Sequence, residues 1–260
     1  MRFQVVGVVV LALLAKLVAP SFGDEMAVTG RQIAQKWQNC MVKVQFVIKT
    51  TYSYEGKDSP SEEQKQEVDA CVIDPSGLLV TSLANTNPSD LYGEIMQEDS
   101  EDFKMSSEVT DAKIILPDGQ EMPAKVVLRD KDLDLAFIRP LQKPAAPLTA
   151  VDLSKASKPE MLDPIVCLSR QTVVGNRVIA ASLHRIASII DKPRLHYVPD
   201  GEPKMGSLVL SLDGNVVGLS VIKRLPKGAG SASPWENIMQ VILPAKDIAE
   251  AAKQAPAEAK

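Results

Sequence analysis

The feature that most constrains the fold of this chain is a series of short segments in which apolar and polar residues alternate. The first runs from Cys40 to Ile48, with apolar side chains on one face and Lys43, Gln45 and Lys49 largely on the other, which is the pattern of a half-buried strand. Turns rich in glycine, proline, asparagine and aspartate separate the later segments. Many short strands at close spacing predict an all-β sandwich or barrel rather than βαβ units.

Predicted strands occur in both halves of the chain, on either side of a proline-rich connector at Pro140, Pro144 and Pro147. Besides the first strand, they cover residues 70–81 with a turn at 74–77, a hairpin of 113–116 with 121–129, and then 133–139, 164–168, 177–190, 194–198, 207–212 and 216–222. Helices are predicted over residues 30–38, capped by Thr29, and over residues 244–254.

Two polar segments interrupt this pattern. Residues 54–67 are predicted to form a solvated loop, and the acidic residues 85–111 are predicted to form a solvated insertion, part of it helical. A run of charges is most often a solvated face. The alternative is that residues 85–111 cover a binding groove or present an acidic face to a basic partner.

The amino terminus has the composition of a secretory signal peptide. Arg2 precedes an apolar run from Val5 to Val18, and small residues follow up to Gly23, after which we expect cleavage. The apolar run is shorter than the roughly 20 residues that cross a bilayer, so an uncleaved membrane anchor is the less favoured alternative. Residues 1–23 are therefore predicted to export the protein to the periplasm or the cell exterior.

Charge and residue types argue against two classes of function. The formal net charge is -4 and no lysine and arginine cluster is interleaved with aromatic residues, so we expect no nucleic-acid partner. Cys40, Cys71 and Cys167 do not have the spacing of zinc ligands, and the chain has 2 histidines, so we expect no metal and no cofactor. The odd number of cysteines leaves at least one thiol free or bonded to another chain.

Four segments together resemble the protease domain of the HtrA/DegP family of trypsin-like serine proteases. They are CVIDPSGLLVT at 71–81, LPDGQEMPAKVVLRD at 116–130 with DLDLAFI at 132–138, VLSLDGNVVGL at 209–219 and VILPAKDI at 241–248. The likeness extends in the right order from about residue 42 to about residue 251.

The resemblance implies an all-β fold of two six-stranded antiparallel barrels with a cleft between them and short helices at both ends. The domain would cover residues 24–255, with the first barrel at about 38–140 and the second at about 160–244. We expect no PDZ domain to follow, and residues 256–260 to form a disordered tail. Cys40 and Cys71 would lie on strands of the same barrel, and whether they are bonded stays open.

The resemblance also places the family's catalytic positions on this chain. The histidine position holds Ala84, the aspartate position holds Asp134 and the nucleophile position holds Met205. The position that gives a backbone N–H to the oxyanion hole holds Pro203. Three of these four positions therefore depart from the family's pattern.

Each of the three departures removes a separate step of catalysis. The methyl group of Ala84 cannot accept a proton, the thioether of Met205 has no proton to lose and is a poor nucleophile, and Pro203 has no N–H to donate. The loss of one oxyanion-hole donor alone costs about 10² to 10³ in rate. We therefore expect no functional catalytic site at these positions.

Two of these positions retain other roles. We expect Asp134, without a histidine, to hydrogen-bond to Thr81, Ser82 or backbone amides, because an unpaired buried carboxylate is costly. We expect Met205 to fill the space of the lost site, although its soft side chain could also line a site for a hydrophobic ligand.

Ser207 is the candidate for a displaced nucleophile, and His184 or His196 would have to serve as its base. Both histidines are predicted to lie on a strand pair around the turn at 191–193, in the second barrel, whereas the family's base comes from the first. We therefore expect two ordinary surface or half-buried histidines that form no metal site.

These observations predict an exported, catalytically inactive trypsin-like protein that binds a protein or peptide at the cleft between the barrels, or acts as a scaffold. One alternative is a serine hydrolase that uses Ser207. Another is a regulatory subunit that assembles with active HtrA-like proteases as part of an oligomer.

Overall fold

The computed structural model describes residues 22–86, 89, 103–225 and 234–259. Two closed antiparallel barrels, each of six strands, make up most of the described chain. This architecture confirms the all-β, two-barrel prediction. Residues 1–21, which hold most of the predicted signal peptide, lie outside the described residues. Within the described residues, no helix combines the length and the apolar character needed to cross a membrane.

The first barrel follows the strand order β1-β3-β4-β7-β6-β5 and is closed by pairing of β5 with β1. Its strands are β1 (Met41–Tyr54), β3 (Glu62–Asp74), β4 (Leu78–Ser82), β5 (Phe103–Ile115), β6 (Glu121–Asp130) and β7 (Leu135–Pro140), with the short β2 (Lys57–Asp58) added beside β1. The turn predicted at residues 74–77 is confirmed, since Gly77 N–H donates to Asp74 O over 2.9 Å. The predicted hairpin of 113–116 with 121–129 is confirmed as well, since Gly119 N–H donates to Leu116 O over 2.9 Å.

The second barrel follows the order β10-β13-β12-β11-β8-β9 and is closed by pairing of β9 with β10. Its strands are β8 (Pro164–Arg170), β9 (Ile179–Ile190), β10 (His196–Pro199), β11 (Leu208–Ser211), β12 (Val216–Arg224) and β13 (Ile238–Pro244). Each predicted segment of the second half of the chain overlaps one of these strands.

Two α-helices flank the barrels, α1 (Phe22–Trp37) and α2 (Ala245–Ala252). The carboxy-terminal helix is close to its prediction, but α1 begins well before the predicted cap at Thr29. Packing of the second half of α1, rather than a cap at Thr29, holds the helix: Ile33 and Ala34 are buried, and Trp37 Nε1 donates to Gly214 O in the second barrel over 3.2 Å. Burial of an apolar face stabilises a helix more than its capping residue does.

The prediction of a loop at residues 54–67 is wrong, and so is that of a part-helical insertion for the described residues 103–111. Both segments are largely strand, because β1 continues to Tyr54 between β3 and β5. Lys49 lies opposite Glu63 on β3 and Glu108 on β5, and opposite charges on paired strands stabilise a sheet. Cross-strand pairs, rather than a buried face, hold these strands. Residues 87, 88 and 90–102 of the acidic segment lie outside the described residues.

The largest hydrophobic cluster lies where the barrels meet. It includes Met41 and Phe137 from the first barrel, Leu168 and Leu219 from the second, and Ile248 from α2. All five side chains are almost completely buried, so the two barrels share one core. The polar residues at this junction are consequently held in fixed positions by well-packed surroundings.

A two-pronged ion pair also joins the barrels. The guanidinium of Arg177 donates from Nε to Glu67 Oε2 over 2.9 Å and from Nη2 to Glu67 Oε1 over 2.5 Å. Glu67 belongs to β3, and Arg177 precedes β9. The hydrogen bond from Arg177 is the main cause that lowers the pKa of Glu67 below its ordinary 4.5.

Arg177→Gln is expected to lower the free energy of unfolding by about 1 kcal/mol at neutral pH. The pKa of Glu67 is lowered in the folded state. The contribution of this carboxylate to the free energy of unfolding is therefore complete above pH 4.5 and is lost as the pH falls through the lowered pKa. The difference between the two proteins should therefore shrink below pH 4.5 in urea titrations across pH. Lys57→Gln, at an exposed position, serves as the control, and a difference that persists in acid would contradict this assignment.

The structure has Cys40, Cys71 and Cys167 as free, buried thiols. Cys40 Sγ donates to Trp37 O over 2.8 Å. The hydrogen bond with Cys40, together with burial, raises the pKa of Cys71, and burial raises the pKa of Cys167 to about 12. Cys71 and Cys167 are therefore protonated at neutral pH, and all three thiols are shielded by burial.

A thiol reagent such as Ellman's reagent is expected to leave the folded protein unmodified, since the thiolate is the reacting form. In denaturant without reductant, all three cysteines should then react. A count of one thiol in the denatured protein would show that Cys40 and Cys71 are bonded after all.

Candidate functional site

Three short segments meet at the junction of the barrels. One follows β4 and contains Ala84, one precedes β7 and contains Asp134, and one precedes β11 and contains Met205. Leu83 N–H donates to Asp134 O over 2.8 Å, and Asn85 Nδ2 donates to Met205 O over 3.3 Å. The structure thus brings together the three positions that the resemblance pairs with a catalytic triad.

Asp134 is completely buried, and its carboxylate accepts hydrogen bonds from two elements of the first barrel. Oδ1 accepts from Ala84 N–H over 3.0 Å, and Oδ2 accepts from the hydroxyl of Ser82. These contacts confirm the expectation that Asp134 bonds to a neighbouring hydroxyl and to backbone amides. The backbone of Asp134 has a φ of 55°, a conformation that aspartate adopts more readily than most residues.

The second barrel supplies the other two partners of this carboxylate. Ile222 N–H donates to Oδ2 over 2.9 Å, and the guanidinium of Arg224 donates from Nη1 to Oδ1 over 3.0 Å. The Arg224 side chain is 17% exposed and that of Asp134 is 1% exposed. The charge of Asp134 is therefore balanced by an arginine from β12.

Ala84 lies where the proton acceptor of a triad would be attached. Its backbone N–H is bound to Asp134, and the residue is 6% exposed. The side chain is a methyl group, which has no lone pair for a proton. The site thus has a fixed carboxylate at Asp134, and residue 84 supplies no base.

Two strands of the second barrel, β12 and β13, hold the segment before β11. Pro203 O accepts from Gln240 Nε2 and, over 3.5 Å, from Ser220 Oγ. Gly206 N–H donates to Ser220 O over 2.8 Å. The ring nitrogen of Pro203 carries no hydrogen, so this residue gives no donor to an oxyanion.

Gly206 packs closely against the first barrel. Its φ is +82°, and a Cβ at this position would lie 2.5 Å from Asp69 O and 2.8 Å from Thr81 Oγ1. Only glycine combines this backbone conformation with such an approach. The position of Met205 relative to Ala84 consequently depends on the absence of a side chain at residue 206.

Ser207, the candidate displaced nucleophile, is 1% exposed. Its N–H donates to Lys204 O over 3.0 Å, and its carbonyl accepts from Ser220 N–H over 3.0 Å. Neither histidine is hydrogen-bonded to it: His196 Nδ1 lies 3.1 Å from Arg194 O, and His184 Nε2 lies 3.0 Å from Ser182 Oγ. Both histidines are on the β9–β10 pair, as the sequence predicted.

Sequence reasoning missed a buried network beside this site. Lys43 was expected on a polar face, but it is 2% exposed, and its Nζ lies 3.1 Å from Asp69 Oδ2. Asp69 Oδ1 also accepts from Arg170 N–H over 2.7 Å. The prediction of a solvated Lys43 is wrong because the second barrel covers that face of β1. A charged pair at positions 43 and 69, flanked by apolar residues, was the available signal.

The positions of Arg224 and Gln240 could not be read from the sequence. Both side chains reach the site from neighbouring strands of the second barrel, and pattern alone does not specify where a long side chain ends. Among the residues that the structure describes, histidine, cysteine, aspartate and glutamate do not form a group of three or more able to hold a metal ion.

A family model for the trypsin-like peptidase domain matches residues 69–219, which include Ala84, Asp134 and Met205. A comparison with curated proteins gives no match. The matched residues make up more than half of the chain and extend across both barrels. This chain therefore belongs to the trypsin-like peptidase domain family.

Proposed function

We propose that this protein is an exported trypsin-like domain that binds extended polypeptide at the junction of its barrels and does not cut it. The observation that carries the proposal is the ion pair between Arg224 and Asp134, at 3.0 Å. In an active triad the buried carboxylate orients a histidine. Here the guanidinium of an arginine, which donates hydrogen bonds and cannot accept them, holds that carboxylate.

The surrounding residues support the same interpretation. Ala84 offers no proton acceptor and Pro203 no amide donor, and these losses act on separate steps of peptide hydrolysis. The part-exposed Met205 presents a flexible apolar side chain where a nucleophile would stand, and methionine suits adaptable binding surfaces. The four segments that resemble HtrA/DegP proteases support a more specific proposal. In this form, the protein is a member of that family that has lost its catalytic residues.

The burial of Ser207 argues against the hydrolase alternative. A serine that is 1% exposed and has no hydrogen bond to either histidine lacks both access and an activating base. The subunit alternative concerns assembly rather than chemistry, and solution mass alone and with an active relative would test it.

Binding can be tested by photo-crosslinking with p-benzoylphenylalanine in place of Met205. Reduced, carboxymethylated casein supplies the extended polypeptide. We expect crosslinks from position 205 to intact casein, and none from the matched control at Lys155, whose side chain is 73% exposed. Equal crosslinking at the two positions, or none at position 205, would contradict binding at the junction.

Export is a separate part of the proposal and has its own test. The protein recovered from the exported fraction should begin at Asp24, since cleavage is expected after Gly23. A chain that retains residues 1–23 would contradict this part and leave the binding proposal intact.

A further inference from the structure

A second group of reactive side chains lies on β9 and the turn after β10, apart from the triad positions. His184 Nε2 lies 3.0 Å from Ser182 Oγ, and His184 Nδ1 lies 3.3 Å from Asp200 Oδ1. A hydroxyl, an imidazole and a carboxylate are therefore arranged in series, with the hydroxyl and the carboxylate at opposite nitrogens of the ring. This is the order that activates a serine nucleophile, whatever the fold that carries it.

Backbone contacts fix the geometry of this group. Ser182 and His184 are two residues apart on β9 and so point to the same face of the strand. Asp200 is tied to β9 twice, because its N–H donates to Arg185 O over 2.9 Å and its Oδ1 accepts from Arg185 N–H over 3.0 Å. The carboxylate is thus anchored at the residue that follows the histidine.

Gly201 holds the imidazole from another side. A Cβ at this position would lie 2.7 Å from both Cε1 and Nδ1 of His184, so the glycine backbone approaches the ring more closely than any other residue would allow. The ring cannot move toward Gly201, and its edge is kept between Ser182 and Asp200. Gly201 is therefore a positioning residue for the imidazole.

The protonation states follow from the partners. The hydrogen bond from Arg185 N–H is the largest of the effects that lower the pKa of Asp200, so this carboxylate is ionised near neutral pH and can only accept. The neutral imidazole consequently carries its hydrogen on Nδ1, toward Asp200. Nε2 is then the acceptor, and the hydroxyl of Ser182 is its donor.

Ser182 is also the accessible nucleophile of this group. It is exposed, whereas the side chain of His184 is 19% exposed. Cys167 lies directly opposite Ser182 on β8, but it is buried, and burial, with a smaller effect of the Asp200 charge, raises its pKa to about 12. The neighbouring thiol therefore stays protonated and does not compete.

We propose that Ser182 is a reactive nucleophile that accepts an acyl group from small activated esters, with His184 as base and Asp200 as the group that orients it. Ser182 Oγ forms a bond to the carbonyl carbon while His184 Nε2 takes the hydroxyl proton. In an aryl ester, the bond from that carbon to the aryl oxygen breaks, and the aryloxide leaves with the electron pair of that bond. Activated esters suit this site because a weakly basic leaving group departs without an acid to protonate it.

Release of the acyl group uses the same residues. The imidazolium first gives its proton through solvent to the departed aryloxide, which becomes the alcohol. Water then attacks the carbonyl carbon of acyl-Ser182 while His184 Nε2 takes a proton from the water. The carboxylic acid departs as the bond to Oγ breaks, and the imidazolium returns the proton to Oγ. The chain is restored, and each cycle converts one ester and one water into one acid and one alcohol.

The test uses p-nitrophenyl acetate, with release of nitrophenolate measured by absorbance and the acetylated residue identified by mass spectrometry. We expect acetyl on Ser182 and loss of this reaction in Ser182→Ala. His184→Gln should slow acetylation by about 10² or more, the usual contribution of a positioned base. Asp200→Asn and Gly201→Ala should slow it as well, the latter by displacing the ring without removing a reactive group.

Ser188→Ala is the matched control, because Ser188 is exposed on the same strand and the ring nitrogens of the two histidines bond to Ser182 and to Arg194 O rather than to Ser188. Its substitution should leave the rate unchanged. Acetyl found on Ser188 or on lysines at the same rate as on Ser182, or a full rate in His184→Gln, would overturn the proposal. Circular dichroism shows whether each variant is folded. If His184→Gln does not fold, the proposal is tested by Ser182→Ala, because this substitution is at an exposed position. Acetyl on Ser207 would count against the proposed function instead.

Discussion

Asp134→Asn is expected to lower the free energy of unfolding by about 3–5 kcal/mol, the usual result of removing one partner from a buried ion pair. The carboxylate of Asp134 accepts from Ser82, Ala84, Ile222 and Arg224. An asparagine has one acceptor oxygen, so its amide N–H₂ would have to face donors that are already in place. It would also remove the buried carboxylate oxygen that lies 3.0 Å from Arg224 Nη1.

The measurement is urea unfolding of Asp134→Asn beside Asp132→Asn. Asp132 is exposed, so its substitution should change the free energy of unfolding by less than about 0.5 kcal/mol. A loss below about 1 kcal/mol for Asp134→Asn would show that the carboxylate is not the electrostatic anchor of the junction.

Gly206→Ala is expected to lower the free energy of unfolding by about 2–5 kcal/mol. About 1–2 kcal/mol of this comes from a positive φ, and about 1–3 kcal/mol comes from forcing a Cβ into a filled space. The new Cβ would lie 2.5 Å from Asp69 O, a backbone atom that cannot rotate away. The segment that carries Met205 would have to separate from the first barrel.

Gly119→Ala isolates the steric part of this effect. Gly119 has a φ of +85° and no atom within 4 Å of the point that a Cβ would occupy, whereas Gly206 has a φ of +82° and a filled neighbourhood. The backbone strain of the two variants should therefore be similar, and Gly206→Ala should be less stable by about 1–3 kcal/mol. Equal free energies of unfolding for the two variants, measured by urea titration, would contradict the close approach of the barrels at Gly206.

The strand pattern and the candidate triad positions could be predicted because they depend on order along the chain. Alternation of residues predicted the strands, and the resemblance to HtrA/DegP proteases implied the two barrels. Asp134 was expected to bond to Thr81, Ser82 or backbone amides, and it bonds to Ser82 and to the Ala84 amide. The extended β1 at residues 49–54 was missed, because cross-strand charge pairs replace a buried face there. Helix α1 was predicted too short because burial of Ile33 and Ala34 stabilises it without a cap at Thr29.

The side chains that balance charge could not be predicted. Arg224 reaches Asp134 from the second barrel, and Asp200 reaches His184 from the turn after β10. Both depend on how strands distant in the chain are placed, which spacing does not encode. The Ser182 and His184 pair was visible as two residues on one strand face, but its third member required the structure.

Incubation of the purified protein with reduced, carboxymethylated casein shows whether the junction of the barrels cuts polypeptide. Mass spectrometry measures the products over time. We expect casein to stay as intact as in buffer, for the unaltered chain and for Ser207→Ala alike. Casein fragments that form with the unaltered chain and disappear with Ser207→Ala would contradict this expectation.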